Sequence, residues 1–424
     1  MQFQDCEFVA NNGRTQAQVL QEQIAIVETR IDALEHPSED ALMLENPYAP
    51  TTSVSPRYIP SLRTLQHLVQ AFLSGHAAKM GYFLWSCDVN HASLGLQSAV
   101  QLWALHLSHN AEHQAHESTW LQRVLSSQPA SSPIETIQTA VLLATYFFTH
   151  DRIREGKYHL SLAAGTVLSA GFHQLRLPST RREADHVAAF WTVFTLNNCW
   201  NASDAAPFNT TYDEEPQLRI MTPWPGEDIT AVDTRGRHGQ TVANFVGRQV
   251  HADAGSKEAL LAKSGILYER ACHIGRQYEA YVHQSDFDNL ARAFASLDEL
   301  VEDLKRSALA QTIREIPFQN ADLLTCCLLH AATIELHRPF LTQRGGNSQQ
   351  RVLEAAKAVV SHLESLALRH ASDDVANPVL AVLLDSMAKA LFAVSGDIPS
   401  AAPTNHTQRL KLVLLSGLPS VKGA

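Results

Sequence analysis

Glycine and proline are scarce in this 424-residue chain, at 19 and 18 residues. Together they usually occupy roughly 12% of a sequence. Their scarcity excludes collagen-like and low-complexity chains and leans towards helix. Charge is scarce as well: 18% of residues are charged and 45% are apolar. That balance is too apolar for a disordered chain and leaves much surface to bury. Six cysteines, Cys6, Cys87, Cys199, Cys272, Cys326 and Cys327, are too few for a small disulfide scaffold, and none forms a CxxC pair. Five lie within apolar periodic segments, the pattern of reduced, buried thiols in an intracellular protein. Long apolar runs are missing. Thr139–Phe148 is too short to cross a bilayer, and Ala321–Leu336 carries His330 and Glu335. The N-terminal Met-Gln-Phe-Gln-Asp-Cys has neither the basic nor the apolar part of a secretory signal.

Positive charge is lacking too. The net charge is −10, the wrong sign for a chain that grips phosphates. The excess sits at the front, where residues 1–60 hold nine carboxylates against Arg14, Arg30 and Arg57. Motifs that announce an enzyme are absent: there is no GxSxG elbow, phosphate loop, GxGxxG or HExxH. The acid runs Asp213-Glu214-Glu215 and Asp373-Asp374 fall in polar loops, where a solvated surface accounts for them.

What is present is helical periodicity. Over 14–36, Leu20, Ile24, Val27, Ile31 and Leu34 alternate spacings of four and three, a heptad seam. Ile24 and Ile31 take a positions and Leu20, Val27 and Leu34 take d positions, a choice that favours parallel two-stranded coils. The pattern is shared by one amphipathic helix packed on its own domain. Residues 37–60 hold Pro37, Pro47, Pro50, Pro56 and Pro60, a density that no helix survives. They read as a linker, with the body running from 61 to 424.

The body reads as an all-α domain. Its first stripe is Leu62–Leu73, capped by Ser61 and stopped at Gly75. Helical stretches follow at 93–127, 134–149, 157–170 (ended by Gly171, a left-handed C-cap signal) and 183–201. A polar crossing at 202–240 comes next. Helices resume at about 241–252, 256–283, 286–313, 320–340, 348–371 and 377–395.

Two clusters invite chemistry. A single helix over 93–127 places His106, His109, His113 and His116 on one face. His109 and His113 at i, i+4 can hold a metal with Glu112 or Glu117 close by. Twenty-one histidines make chance clustering common, and Ser108, Asn110 and Gln114 between them read as a solvated face. Cys326 and Cys327 near His330 point about 100° apart on a helix, which favours packing over a shared ion.

Several ordered segments resemble the fungal binuclear zinc-cluster transcription factors, in their large helical middle-homology domain. Thr139–Phe147 and Gly156 precede Ser169-Ala170-Gly171-Phe172-His173, which is similar to the family's “lGLH”. Ala189-Phe190-Trp191-Thr192-Val193-Phe194 resembles “rlFWtly”. Ala206-Pro207-Phe208 and Asp213 sit where the family has “grP” and “iD”, Leu218–Pro225 matches a segment ending in “lP”, and Leu336-His337-Arg338-Pro339-Phe340 echoes “LhRP”. The likeness covers about 60–340. Asp5-Cys6-Glu7-Phe8, Arg14-Thr15 and the heptads look like the last zinc cysteine, the linker and the dimerising coil. Residues 1–13 are thus read as the remnant of a zinc cluster. Departures are His186-Val187-Ala188 in place of a basic triplet, Ala205-Ala206 in place of the arginine of “grP”, and five missing zinc cysteines.

The resemblance implies a nuclear transcription regulator that is not an enzyme. It implies a homodimer joined by the coil, DNA contact only through a zinc cluster, two zinc ions in complete family members, and a regulatory body open to a small-molecule effector. Either the chain begins inside a longer product or it is a member without its DNA-binding module. The competing expectation is an all-helical enzyme or small-molecule binder unrelated to transcription. Phe172, His173, Phe190, Trp191 and Phe194 are the expected core or pocket wall. Phe190 and Phe194 share a helix face, and Trp191 looks about 100° away. With one candidate ligand, Cys6, and a charge of −10, the chain as it stands is expected neither to bind DNA specifically nor to take up two zinc ions. Chelator-sensitive zinc at about two equivalents in an elemental assay would overturn this.

Overall fold

A computed structural model describes residues 20–29 except 22, 61–76, 89–176 except 109, 129 and 131, then 178, 180–203, 219–226, 241–248, 255–279, 284–314, 320–341, 347–369 and 377–396. The chain divides into two units, Met1–Ser55 and Pro56–Ala424. In the first, the described residues of 20–29 are helical, and Leu20, Ile24 and Val27 of the heptad seam are 52, 56 and 55% exposed. Ile31 and Leu34 of the same seam, Cys6 and the linker 37–60 lie outside the described residues.

In the second unit, the described residues form thirteen α-helices, with short 3-10 and π turns and no strand among them. The domain is all-α, as expected. The helices are α1 (Leu62–Ala71), α2 (Leu94–His106), α3 (Ala111–Gln114), α4 (Glu117–Leu125), α5 (Pro133–Thr149), α6 (Ile153–Ser169) and α7 (Arg181–Ser203). They continue with α8 (Thr241–Val246), α9 (Lys257–Glu279), α10 (Gln284–Arg314), α11 (Asn320–His337), α12 (Ser348–Arg369) and α13 (Pro378–Gly396). Ser61 caps α1 by accepting from the Thr64 amide at 3.1 Å. Pro133 opens α5, where its missing N–H is no loss. Gly171 leaves α6 at φ 72°, a conformation that penalises any side chain.

The expected helix over 93–127 is corrected to three. α2 stops at His106, and Asn110 starts α3 by accepting from the Glu112 amide at 2.9 Å. α4 begins at Glu117. Ser108 and Asn110, read as a solvated face, instead offer the backbone local partners: Ser108 Oγ donates to the Leu105 carbonyl at 2.7 Å. Residues of these types compete with helix in this way. Among the described residues, His106, His113 and His116 therefore do not share a helix face.

The front half is built on α2 and α5. Trp103 is fully buried, stacks on Phe72 and donates its indole N–H to the Leu142 carbonyl at 2.9 Å. Trp120 donates to Gln101 at 2.8 Å and ties α4 to α2. α5 is buried almost all round, from Ile137 to Phe148. It turns into α6 through His150–Arg152, with Asp151 in the left-handed region at φ 57°. Such short connections make antiparallel helical hairpins. In the back half α9 is central. It packs on α7, α10 and α11, and residues 262–269 are all buried.

Around α11 the buried charge is paired. Arg351 makes a two-pronged contact with Asp298, at 2.9 and 2.8 Å, and reaches Glu302 at 2.8 Å. His337 joins Asp298 at 3.3 Å to Ser348 at 3.0 Å. Burial works to raise the Asp298 pKa, but the His337 hydrogen bond and the Arg351 charge outweigh it and hold the carboxyl below its ordinary value.

Two histidines are held neutral without such help. His159 on α6 lies flat on the Phe147 ring, at 5.4 Å and 12°. Its Nδ1, and that of His330 on α11, have no hydrogen-bond partner among the described residues. Burial lowers their pKa values from 6.5 to about 4 and about 3. Above pH 6.5 the folded and unfolded states are both neutral, and the contribution to stability is complete. As the pH falls, the unfolded chain takes up protons that the folded chain refuses, and stability is lost progressively towards about pH 4 for His159 and about pH 3 for His330. We expect the melting temperature to drop between pH 7 and pH 5. His159→Phe, which keeps a ring against Phe147, should shrink that drop. An unchanged drop in the variant would show that His159 is not its source.

Candidate functional site

The five residues expected to form a core or pocket wall come together. Phe172 and His173 sit in a 3-10 turn immediately after Gly171, 6 and 7% exposed. Phe172 stacks on His186 at 4.5 Å. Phe190 and Phe194, one turn apart on α7, stack at 5.5 Å and 20°. Trp191 faces elsewhere, as the helical period requires, and is 2% exposed. Its partner is the irregular segment 219–226, which crosses it as a strap.

The strap is held by hydrogen bonds at five points. The Met221 and Thr222 amides donate to the His173 carbonyl at 2.8 and 3.2 Å. Thr222 Oγ1 donates to the Phe172 carbonyl at 2.6 Å and accepts from the Leu175 amide at 3.1 Å. The Trp191 indole donates to the Pro223 carbonyl at 2.6 Å. Ser256, at the N-terminus of α9, donates to the Pro225 carbonyl at 2.5 Å and accepts from the Ala259 amide at 3.0 Å. The Thr241 amide, opening α8, donates to the Ile220 carbonyl at 2.9 Å. Trp224 stacks on Trp191 at 4.5 Å and meets the edge of Phe245 at 5.6 Å. The buried Lys263 ammonium lies 5.1 Å above the Trp224 ring, a cation–π contact. The strap thus supplies the polar partners that buried indole and backbone groups need. Rings and backbone carbonyls fill the junction, and the chemistry there is packing.

Reading the sequence finds the strap as a stretch of resemblance but misses Thr222, Trp224, Phe245 and Lys263 as its anchors. The local signal is Pro223-Trp224-Pro225, a large aromatic fixed between two prolines. A second cluster is missed because its members come from three elements. His106 ends α2, Glu117 begins α4, and His150 caps α5. His106 Nδ1 lies 3.2 Å from Glu117 Oε2, and His150 Nε2 lies 3.9 Å from the same oxygen. The Tyr146 hydroxyl donates to that oxygen at 2.8 Å. Burial works to raise the Glu117 pKa, but the His106 hydrogen bond and charge, with the Tyr146 hydroxyl, outweigh it and hold the carboxyl low. Burial and the Glu117 charge push the Tyr146 phenol far up. Of the other histidines in the expected cluster, His113 bonds Ser108 at 3.1 Å and His116 meets the Trp120 ring. His109 lies outside the described residues.

The remaining described cysteines do not fit a zinc cluster. Cys199 on α7, Cys272 on α9 and Cys327 on α11 are buried. Burial pushes their thiols up, that of Cys199 to about 12, which opposes the thiolate that a metal requires. Cys326, half-buried, precedes Cys327 on the same helix.

The strap contacts can be weighed by mutation. Trp191→Ala should cost about 3–5 kcal/mol. Thr222→Val, which keeps shape but strands the Leu175 amide, should cost about 1–3 kcal/mol. Urea midpoints within error of the parent would show that the strap does not hold the body together. Compared with protein families, curated proteins and solved structures, the chain finds no match, so its own geometry carries the functional reading.

Proposed function

We propose that residues 61–424 are the regulatory body of a nuclear transcription regulator akin to the fungal zinc-cluster factors, joined as a homodimer through residues 14–36. DNA contact would require a zinc cluster of which this chain carries only Cys6. The observation that supports the reading is convergence. Segments resembling the family's motifs lie far apart in sequence, yet Gly171–His173, Phe190-Trp191 and Thr222–Pro225 meet at one buried junction. The late Leu336–Phe340 echo also has a defined task. Its His337 joins Asp298 to Ser348, and its Arg338 pairs with Glu335 at 2.9 Å. Segments that the sequence resemblance picks out are thus joined in the fold of this chain, and that juxtaposition is what supports the reading.

Dimerisation follows from the heptad pattern. Leu20, Ile24 and Val27 are exposed on their helix, and a matching stripe on a second copy would bury them. In that register Arg30 at g and Glu35 at the following e pair across a parallel seam.

The test is a fusion of the full chain to a heterologous DNA-binding domain with its own operator. Reporter transcription should change, and sedimentation should show a dimer. Ile24→Asp with Ile31→Asp places unpaired charges in the seam, which costs several kcal/mol (about 3–5). The double variant should return the fusion to monomer and reduce the reporter response. A reporter indifferent to the fusion would refute the regulatory reading, and an unchanged mass in the double variant would refute the seam.

A further inference from the structure

We propose that His106, Glu117 and His150 bind one divalent transition-metal ion of the zinc class, at a site distinct from the cysteine cluster that the resemblance implies. The ligand atoms, two imidazole nitrogens and a carboxylate oxygen, all lie within 4.8 Å of one another. Four-coordinate zinc with bonds of about 2.0–2.2 Å spaces its ligands by about 3.3–3.5 Å. The separations of 3.2 Å for His106 and 3.9 Å for His150 from Glu117 Oε2 bracket that spacing. A few tenths of an ångström of ring movement would complete three sides of a tetrahedron.

Hydrogen bonding determines which nitrogen of His150 faces the gap. Its Nδ1 lies 2.8 Å from the Tyr146 carbonyl, which can only accept, so Nδ1 carries the hydrogen. In the neutral ring Nε2 then presents a lone pair, 3.9 Å from Glu117 Oε2. That oxygen already accepts from Tyr146 at 2.8 Å. Two lone-pair atoms thus face one gap, too far apart to bond each other, and a cation between them satisfies both. A purely hydrogen-bonded cluster accounts for His106 and Tyr146 but leaves His150 Nε2 aimed at a carboxylate. The outer contacts are those that orient metal ligands. The Tyr146 hydroxyl holds the carboxylate, the Tyr146 carbonyl holds His150, and the Trp103 ring meets His106 edge-on at 5.5 Å.

The surroundings pull both ways: burial and the Arg152 charge oppose positive charge at His150, while the Glu117 carboxylate and the helix ends favour it. His106 and His150 stand at the C-terminal ends of α2 and α5, where the helix dipoles are negative. The nearby Arg152 is paired with Glu155 at 2.9 Å. The side chains are 24, 13 and 34% exposed, so an ion can enter from solvent, and water can take the remaining coordination position. Binding through His106 Nδ1 requires the ring to carry its hydrogen on Nε2, so the hydrogen that Nδ1 otherwise directs at Glu117 moves to Nε2 through solvent, or is released to water where the ring starts doubly protonated. Mixed nitrogen and oxygen donors select zinc-like ions over magnesium or calcium.

The experiment uses the full chain stripped of metal, titrated calorimetrically with zinc, with melting followed in parallel. The parent should bind one equivalent and melt higher when loaded. His150→Gln and Glu117→Gln should each weaken binding at least tenfold, and Tyr146→Phe about 10–100-fold. The double variant His106→Gln/His150→Gln should lose both the equivalent and the thermal shift. His150 is part-exposed at a helix end, so it carries the test should Glu117→Gln fail to fold. Failure of the parent to bind, or parent-like stoichiometry and affinity in the folded double variant, would overturn the proposal. Neither result bears on the regulatory reading, which the reporter tests separately.

Discussion

Helix α9 reaches α11 at Gly275, and the rest of the back half is arranged around that approach. A Cβ at position 275 would lie 2.6 Å from the Glu335 carbonyl oxygen, a distance that backbone does not tolerate. With hydrogen there, two long helices close together, and α9 becomes a central helix enclosed by α7, α10 and α11. Enclosure has a cost. Lys263 and Glu269 on α9 and Glu335 and His337 on α11 are 4–7% exposed, and buried charge is unfavourable unless paired. The structure answers with local partners. Glu335 takes Arg338 and Ser386, Asp298 takes His337 and Arg351, and Lys305 takes Glu302 and Thr333. Such pairs add little net stability but make alternative packings expensive, since any shift strands a charge.

The strap obeys the same rule with backbone groups. An irregular segment lying across helices carries amides and carbonyls that no helix satisfies. Residues 219–226 find partners in the turn after Gly171, in the Trp191 indole and in the N-cap of α9. Because Gly171 turns the chain with φ 72°, the carbonyls of Phe172 and His173 are free to accept from outside their own helix. One conformational permission in the sequence thus sets up contacts some fifty residues away.

Helix periodicity made most of the fold legible. α5 was readable because its apolar residues run all round, and α6 and α7 because Gly171 separates two stripes. Boundaries shifted by a few residues where caps, rather than periodicity, decide them. The stretch 93–127 misled for a physical reason: Ser108 and Asn110 are small polar residues whose alternative to a solvated helix face is to break the helix. The Phe190, Trp191 and Phe194 geometry follows from a period of 3.6, whereas the identity of Trp191's partner does not. Trp224 reaches it through a long polar crossing that periodicity says nothing about. The grouping of His106, Glu117 and His150 is equally non-local. Glu117 is a sequence neighbour of the histidine run, but His150 enters only through the packing of α5 on α2.

That packing makes α5 the element shared by the two halves. One side of it accepts the Trp103 indole and presents Tyr146 and His150, and another stacks Phe148 on Trp200 of α7 at 3.7 Å. Trp200 lies on the same helix as Phe190 and Trp191. A constraint at the His150 end of α5 is therefore applied to a helix that cannot slide, because its buried faces are close-packed and lateral movement would open voids on one side and clashes on the other. Loading such a site would be felt as resistance to unfolding of the whole helical body rather than as a change in its shape.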